Sequence, residues 1–419
     1  MSKIRGMAGL ALLTLIVAAL ATACGQEDPT ATPTPTATAV PAAPEATATP
    51  EPSAEELFQV EWDQLIAEAQ AEGELVIILS APASRNSREI FESFGAKFGL
   101  TVLQSTGSGT TNVNRVLAER AKGVYDVDVS VVGASSTDRL RLAGALVPMQ
   151  PLIFHPEVTD RSKGWLVTDW AWTDQENKYS PAYNLRLREN IIEIFYNTDE
   201  VSQAEIDSVQ SWQDFLKPEW KGRIVSILDP DFGGVTTDRT LMWILLGQEW
   251  YEPFIRNQEP TLLPGGSFAE MSVGIGRGKY SVAFFTGAAS TDMEALIGLG
   301  LPVAKLTRTL AEGGTVEIRG TLTVLDQAPH PKAAQLFVNW FLSREGQQAR
   351  LDLTTDEDVS PSLRTDLAQG KVSDRQWAQL AATDPASAMS QSTPEWFAAR
   401  DGVIAWTREI FAELGYYGQ

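Results

Sequence analysis

Residues 101–132 follow a strand–loop–helix–strand pattern, which constrains the fold more than any other stretch of the chain. Residues 102–103 begin a short strand, and residues 127–132 are apolar at nearly every position, as in a strand buried on both faces. Between them, apolar residues recur at helical spacing over 113–121, and Gly123 ends the helix. The pattern predicts a βαβ unit within an α/β fold.

The loop of this unit, residues 105–111, consists only of serine, threonine and glycine. Backbone N–H groups at a helix start carry partial positive charge, and hydroxyl side chains add donors. The loop can therefore hold an anion or a polar ligand, or Ser108 or Thr110 can simply cap the helix. The candidate ligand residues from this loop are Ser105, Thr106, Ser108, Gly109 and Thr110.

The same arrangement, a strand that ends in a small-residue loop at the start of a helix, recurs along the chain. The further loops are 80–87, 133–138, 231–237, 264–267 and 286–290. Because ligands of open α/β sheets bind at the carboxyl ends of the strands, we expect these loops to meet at one site. The further candidate ligand residues are Ser80, Arg85, Ser135, Ser136, Asn197, Gly233, Gly266, Ser267, Thr286 and Gly287.

The first 54 residues have the features of an export signal and a linker. Lys3 and Arg5 precede an apolar run that ends in small residues at Cys24, and LATACG resembles a bacterial lipobox, in which the cysteine is lipidated. Residues 1–24 are therefore predicted to be a lipoprotein signal peptide; alternatively, Cys24 only closes a signal peptide. Residues 25–54 are rich in Pro, Thr and Ala without apolar periodicity, which predicts a disordered linker.

Charge and composition exclude several classes of function. A net charge of −21 repels nucleic acid. Two histidines and one cysteine cannot supply a Cys/His zinc site, a Cys–His nucleophile pair in the folded part or an intrachain disulfide. The chain has no Gly-Lys-Ser/Thr phosphate loop, and Asn112 stands where a dinucleotide loop has its third glycine. We expect no nucleic-acid partner and no cofactor.

The middle of the chain is expected to link two lobes. Residues 150–190 are irregular and rich in tryptophan, which we expect to fill a core or a lobe interface rather than to stack on a sugar or base. Residues 191–200 are predicted to be the first crossing strand, and residues 318–324 the return.

Five blocks of sequence occur in an order that is typical of one protein family. They are EGELVIILSA at 72–81, FGLTV and VLAERAKGVYDVDV within 98–129, IFYNTD at 194–199, PEWKGRIVSILDP at 218–230 and APHPKAAQLFVNWFLSREGQ at 328–347. Together they resemble bacterial extracellular solute-binding proteins of ABC importers, in the branch related to ferric-iron and phosphonate receptors. The resemblance implies a periplasmic-binding-protein type II fold, in which two α/β lobes, each a mixed sheet flanked by helices, are joined by two crossing strands and close by hinge motion.

The resemblance also implies boundaries, partners and location. Lobe 1 would comprise 57–192 plus 310–419, and lobe 2 would comprise 198–305. The protein would be a monomer that captures a small-molecule solute and delivers it to an ABC permease. It would lie outside the cytoplasm, on the outer face of the cell membrane or in the periplasm, and touch the membrane only through its lipid anchor.

The nature of the ligand is an expectation from the loop chemistry. Iron-binding members of the family carry adjacent tyrosines after the strand at 280–285, whereas Phe284-Phe285-Thr286-Gly287 stands here. The loops offer hydroxyls, backbone N–H groups and Arg85, which favour an anionic group such as a phosphonate, phosphate ester, sulfonate or carboxylate over a metal. Arg319 could add a second charge or form a salt bridge at the hinge.

Alternatives to this reading remain open. A ferric-iron receptor of the same fold is the first alternative. A secreted hydrolase that uses two carboxylates is less favoured, because no nucleophile motif is present and no catalytic residue can be assigned. A passive surface lipoprotein would explain the anchor but not the repeated loops at helix starts.

Overall fold

The computed structural model describes residues 51–80, 88–189, 192–354, 359–368, 370–374, 376–378 and 389–416. The predicted signal peptide with Cys24, nearly all of the predicted linker, and Arg85 lie outside the described residues. Residues 52–419 form one compact unit that contains the hydrophobic cores of the described chain, so it can fold without the residues before it. None of the helices in the described part of the chain is both long and apolar enough to cross a bilayer.

The strands and helices alternate through most of the chain, as predicted. The strands are β1 (Glu74–Ser80), β2 (Thr101–Gly107), β3 (Val129–Val131), β4 (Leu185–Glu189), β5 (Phe195–Asn197), β6 (Ile224–Ser226), β7 (Thr261–Leu262), β8 (Val282–Phe284), β9 (Val303–Lys305), β10 (Thr315–Arg319), β11 (Thr323–Val324) and β12 (Met389–Ser390). The helices are α1 (Ala54–Glu72), α2 (Arg88–Phe98), α3 (Gly109–Arg120), α4 (Ala134–Leu142), α5 (Pro156–Thr159), α6 (Gln203–Ser208), α7 (Thr236–Gln258), α8 (Phe268–Gly276), α9 (Ala289–Gly298), α10 (Pro331–Leu342), α11 (Arg344–Leu353) and α12 (Pro394–Leu414).

The first sheet contains the unit at 101–132. Its order is β11-β3-β1-β2, with β1, β2 and β3 parallel and β11 antiparallel to β3. The predicted strand at 127–132 is shorter in the structure, but Val127 and Asp128 before it are buried. The Asp128 carboxylate accepts hydrogen bonds from the N–H groups of Val76 and His330, both at 2.7 Å. Asp128 therefore joins this sheet to the start of α10.

The second sheet has five strands in the order β7-β6-β8-β5-β9. Strands β6, β7 and β8 run parallel, and β5 runs antiparallel to both of its neighbours. Buried aromatic side chains such as Trp250, Phe254 and Phe284 pack on one face, and Met271 and Ile275 of α8 lie in a separate core. Each sheet thus has its own cores, as expected of a two-lobed α/β fold.

Two antiparallel strands connect the sheets. The chain leaves the first sheet through β4 and returns through β10, and these two strands pair along five residues each. The prediction that 191–200 makes the first crossing is wrong, because β5 within this range belongs to the second sheet. The predicted return at 318–324 is confirmed, since β10 leads directly into β11 of the first sheet.

The irregular segment at 150–190 is largely core. Trp165 and Trp172 are buried in the same core as Leu185, and Trp170 packs against it. Arg161 is stacked over Trp165 and Trp170, with its guanidinium carbon 3.8 and 4.8 Å from the two rings. The expectation that these tryptophans fill the interior is confirmed.

The last helix, α12, packs on the second-sheet side of the molecule. Trp406 contacts Trp243 of α7 with the ring centroids 5.7 Å apart, and the Arg256 guanidinium binds both carboxylate oxygens of Glu413 at 2.8 and 2.7 Å. The lobe boundaries stay a prediction. They assign α12 to lobe 1, but α12 packs against α7, which they assign to lobe 2.

Candidate functional site

Asn112 fixes the carboxyl ends of β1 and of its edge neighbour β2 in the first sheet. Ser80 and Gly107 are paired residues at these ends. The Asn112 side chain is 4% exposed, and its amide donates to the Leu79 carbonyl at 2.8 Å and to the Ser105 carbonyl at 3.5 Å. This amide holds both strand ends beside the start of α3.

The hydroxyls of the first loop have different roles. Ser108 is the N-cap of α3, and its oxygen accepts a hydrogen bond from the Thr111 N–H at 3.0 Å. The capping alternative is therefore the one that the structure shows for Ser108. Thr110, two residues later, lines a cavity, and its hydroxyl makes no hydrogen bond with any described residue.

The starts of α3 and α4 lie against each other. A β-carbon on Gly109 would lie 2.9 Å from the Ser136 hydroxyl, so a larger residue would displace the Ser136 side chain. The N-cap of α4 is Gly133, which offers no side-chain cap, and the Ser135 hydroxyl is free of hydrogen bonds among the described residues. We call Thr110, Ser135 and Ser136 the first wall of the site.

The loop 229–236, which leads into α7, forms the second wall. The Asp229 carboxylate accepts hydrogen bonds from the N–H groups of Asp231 at 2.9 Å and of Gly265 at 3.0 Å, which ties two loops together. Below the loop, Arg239 is 0% exposed and donates to the carbonyl oxygens of Leu228, Asp229 and Phe232. Burial lowers the pKa of Arg239 to about 10, so its guanidinium remains charged at neutral pH.

The two walls meet at Gly233. A β-carbon there would lie 3.1 Å from the Thr110 hydroxyl oxygen and 3.2 Å from that of Ser135. Two adjoining cavities of about 480 and 180 Å³ flank this contact. Ser135, Gly233, Thr236 and Arg400 line both of them. Starts of three helices, α3, α4 and α7, thus converge on one cleft between the two sheets.

Arginine and aspartate alternate around the larger cavity. Arg400 lies 2.7 Å from a carboxylate oxygen of Asp138, and Arg408 lies 2.6 Å from one of Asp231. Arg139 donates instead to the side-chain oxygen of Asn114 and has no carboxylate partner within the described ranges. Asp401 also lines this cavity and lies 2.8 Å from Arg400, so three arginines face three aspartates and the cavity wall is close to neutral.

Arg319 lines the smaller cavity and also forms a salt bridge. Its Nη2 lies 2.7 Å from the buried carboxylate of Glu317, and its Nη1 donates to the Trp172 carbonyl at 3.1 Å. The hinge salt bridge expected as one alternative is present. The Nε atom of Arg319 is buried and has no acceptor among the described residues.

The remaining predicted residues are outside the two cavities. Asn197 is 1% exposed, and its side chain is fully used, because it donates to the Ile275 carbonyl and accepts from the N–H groups of Asp199 and Glu200. Ser80, Ser105, Thr106, Ser108, Gly266, Ser267, Thr286 and Gly287 do not line either cavity. The structure thus brings together Thr110, Ser135, Ser136 and Gly233, with Gly109 behind them.

Several lining residues come from a part of the chain that the sequence analysis did not assign to the site. Arg400, Ile404 and Arg408 lie on one face of α12 and line the larger cavity, and Gln391 lines the smaller one. Their four-residue spacing indicates a shared helix face. The sequence does not show that this face meets the cleft.

The groups around the cleft are poor metal ligands. The described residues contain no group of three or more His, Cys, Asp or Glu side chains placed to hold a metal ion. Among the described lining residues of both cavities there is no tyrosine or histidine, and Asp138 and Asp231 are each paired with an arginine.

The fold and this cleft between two sheets define a two-lobed solute-binding protein. The sequence model of the bacterial extracellular solute-binding protein family matches residues 89–348. The chain belongs to this family, and it is a solute-binding protein of an ABC importer. No match was found among curated protein sequences.

Solved structures show the same fold at low identity. Iron-bound HitA of Pseudomonas aeruginosa is 19% identical over 79% of this chain and 99% of its own, with a TM-score of 0.50. Apo ferric ion-binding protein A of Pasteurella haemolytica is 14% identical over 81% and 98%, with a TM-score of 0.54. FutA of Trichodesmium, in complex with iron and citrate, is 17% identical over 81% and 99%, with a TM-score of 0.52.

Proposed function

We propose that the chain binds a small anionic solute in the cleft between its two sheets and delivers it to a membrane permease. The observation that carries this proposal is the contact of Gly233 with Thr110 and Ser135, where three helix starts converge beside two cavities. Helix starts present partial positive charge and N–H donors, and the two free hydroxyls add further donors. An anionic group is the ligand that such donors stabilise most.

Local charge supports an anion despite the net charge of −21. Arg239 beneath the second wall is buried and bonded to carbonyl groups, so no carboxylate contacts its charge within the described residues. Arg139 at the larger cavity also lacks a carboxylate partner in the described chain. Long-range attraction of an anion is not expected, and specificity depends on these short-range contacts.

Ferric iron is the second candidate, because HitA and FutA, which share the fold, were solved with iron. Ferric iron is a hard cation that needs several anionic oxygen or imidazole ligands. The carboxylates at this cleft are engaged by arginines, and the described lining contains no tyrosine. These features favour the anion.

A thermal-shift screen of the unit 52–419 tests the choice. Phosphate, methylphosphonate, taurine and succinate serve as anionic or acidic-group probes, spermidine as a cation, and ferric citrate is compared with citrate alone. We expect at least one anion to raise Tm in a concentration-dependent way. Stabilisation by ferric citrate but not by citrate or any other anion would overturn the proposal in favour of iron.

Two serines provide a matched pair for the site itself. Ser135→Ala removes a free hydroxyl from the first wall and should weaken binding of the stabilising anion about tenfold, with little change in unliganded Tm. Ser108→Ala removes the cap of α3 and should cost about 1 kcal/mol of stability without changing affinity. Equal affinities for wild type and Ser135→Ala would remove the first wall from the binding site.

We further propose that Cys24 is lipidated, that residues 25–54 are a flexible tether, and that the protein acts as a monomer. The lipobox-like sequence before Cys24 and the Pro/Thr/Ala composition after it support the anchor. Cys24→Ser should move the protein from the membrane fraction to the soluble fraction after cell lysis. Unchanged membrane association, with a processed N-terminus, would argue against lipidation.

A further inference from the structure

The C-terminal segment 389–414 lies beyond the family match, which ends at residue 348. Its first part, β12, pairs in parallel with the crossing strand β10, through Val316 with Met389 and Glu317 with Ser390. Its second part, α12, packs on α7. The segment is therefore attached both to the connection between the two sheets and to the second-sheet side.

The same segment also touches the first-sheet side. Arg400 of α12 pairs with Asp138 of α4 at 2.7 Å, and the two side chains are only 11% and 6% exposed. Asp138 also lies 2.8 Å from Arg141 on its own helix. Both side chains line the larger cavity, so α12 lies against α4 at one side of the cleft.

Two donors in this region have no acceptor. The Nε2 atom of Gln391 and the Nε atom of Arg319 are both buried and make no hydrogen bond with the described residues. Both side chains line the smaller cavity of about 180 Å³, where Gln391 is held by a 3.4 Å contact from the Thr237 hydroxyl. Buried donors without acceptors are unfavourable, so these two donors, on side chains that line one cavity, would gain an acceptor if the side chains turned towards a group held there.

We propose that residues 389–414 form a third wall of the solute cleft, and that Gln391 and Arg319 bind an oxyanion group of the solute, either a carboxylate or a phosphoryl group. This inference rests on the proposed function, since it places the charged end of the same solute. The remainder of the solute occupies the larger cavity, which shares Ser135, Gly233, Thr236 and Arg400 with the smaller one. Specificity then depends on a segment outside the family match.

Two substitutions at Gln391 separate charge from shape. Gln391→Glu keeps the length of the side chain but replaces the donor with a negative charge, and Gln391→Leu removes the donor without adding charge. We expect calorimetric titration of the unit 52–419 with inorganic phosphate and with succinate to give the highest affinity for wild type, a lower one for Gln391→Leu and the lowest for Gln391→Glu. We expect the last variant to lose at least about tenfold for the probe that binds. The control is Gln213→Glu, which adds the same charge at an exposed position and should bind as wild type.

The outcomes distinguish this inference from the proposed function. Binding of phosphate alone indicates a phosphoryl group, and binding of succinate alone indicates a carboxylate. If an anion binds wild type and Gln391→Glu equally, while Ser135→Ala loses affinity, the third wall is wrong and the cleft function stands. If neither anion binds wild type, or if spermidine binds more tightly to Gln391→Glu than to wild type, the oxyanion site is overturned. After the first of these results, the anionic function stands only if another anion of the thermal-shift screen raises Tm. A tight spermidine complex would replace the anionic function with a cationic one.

Discussion

The first and second walls of the cleft differ in what they present and in how they are held. The first wall presents free hydroxyls at two helix starts, backed by the neutral amide of Asn112. The second wall contributes a glycine contact, and its shape is set by the buried charge of Arg239 and by Asp229. The comparison indicates a division of roles, in which one wall supplies donors and the other supplies a fixed surface that approaches them closely.

The largest effect should follow from removing the support of the second wall. Arg239→Met leaves the carbonyl groups of Leu228, Asp229 and Phe232 without their donor in a buried site. Since a buried unsatisfied group costs about 1–3 kcal/mol, we expect a loss of about 3 kcal/mol or more in the free energy of unfolding. Urea denaturation measures it. The control is Arg139→Met on the exposed first-wall side, with an expected change of about 0.5 kcal/mol or less.

A result near wild type for Arg239→Met would mean that the loop 229–236 keeps its shape without the guanidinium. The second wall would then resemble the first, with a surface held by local backbone geometry. The proposed division of roles would not hold.

A smaller and more local effect should follow from a side chain at the contact between the walls. Gly233→Val places a β-carbon 3.1 Å from the Thr110 hydroxyl and 3.2 Å from that of Ser135, so these side chains must shift and the γ-carbons of valine enter the contact between the walls. We expect about tenfold or greater loss of affinity for the stabilising anion, and an increased radius of gyration in solution scattering. Gly298→Val is the control, because a β-carbon there meets no atom within 4 Å. An unchanged affinity in Gly233→Val would place the ligand away from this contact.

The first wall shows how far the sequence alone can predict such a site. The composition of 105–111 and 133–138 correctly indicates helix starts beside strand ends, but the predicted loops are wrong in length. Residues 105–107 belong to β2, 109–111 to α3 and 134–138 to α4, so each connection is only one or a few residues long. The composition does not determine which hydroxyl caps and which one faces the cleft, because a shift of two residues, from Ser108 to Thr110, changes the role. Asn197 looked like a ligand residue, but its hydrogen bonds are used within its own turn and by the Ile275 carbonyl.

The second wall and the C-terminal segment were less predictable. Arg239 lies beside Leu241 and Met242 in a helix, and a charge among buried residues is a signal that the sequence offers. What that charge contacts depends on how the loop folds back over the helix. Likewise, the spacing of Arg400 and Arg408 predicts a common face of α12, but only the packing of α12 on α7 and against Asp138 directs it to the cleft.

The smallest effect should come from pH. It should differ between the first half of the molecule, which is the side of the first sheet, and the second half, which is the side of the second sheet. In the first half, the neutral Nδ1 of His155 accepts a hydrogen bond from the Glu157 N–H at 3.3 Å, and burial lowers the pKa of His155 from 6.5. In the second half, hydrogen bonds from Arg223 and Ser202 lower the pKa of Glu205 from 4.5 to about 2. The histidine contribution is complete above its unfolded pKa of 6.5 and is lost as pH falls below it, whereas that of Glu205 is complete above 4.5 and is lost only as pH falls towards 2.

Between about pH 7.5 and 5.5, acidification should therefore weaken the contribution of His155 in the first half to stability, and not that of Glu205 in the second half. We expect a modest decrease in Tm over this window, and a smaller decrease in His155→Asn, because asparagine can cap the helix start at Pro156 but does not titrate. Glu205→Gln should follow the wild-type decrease in this window, since the carboxylate of Glu205 stays ionised throughout it. An identical pH dependence of wild type and His155→Asn would show that His155 does not set the acid response of the first half, and the difference between the halves would have to be sought in other groups.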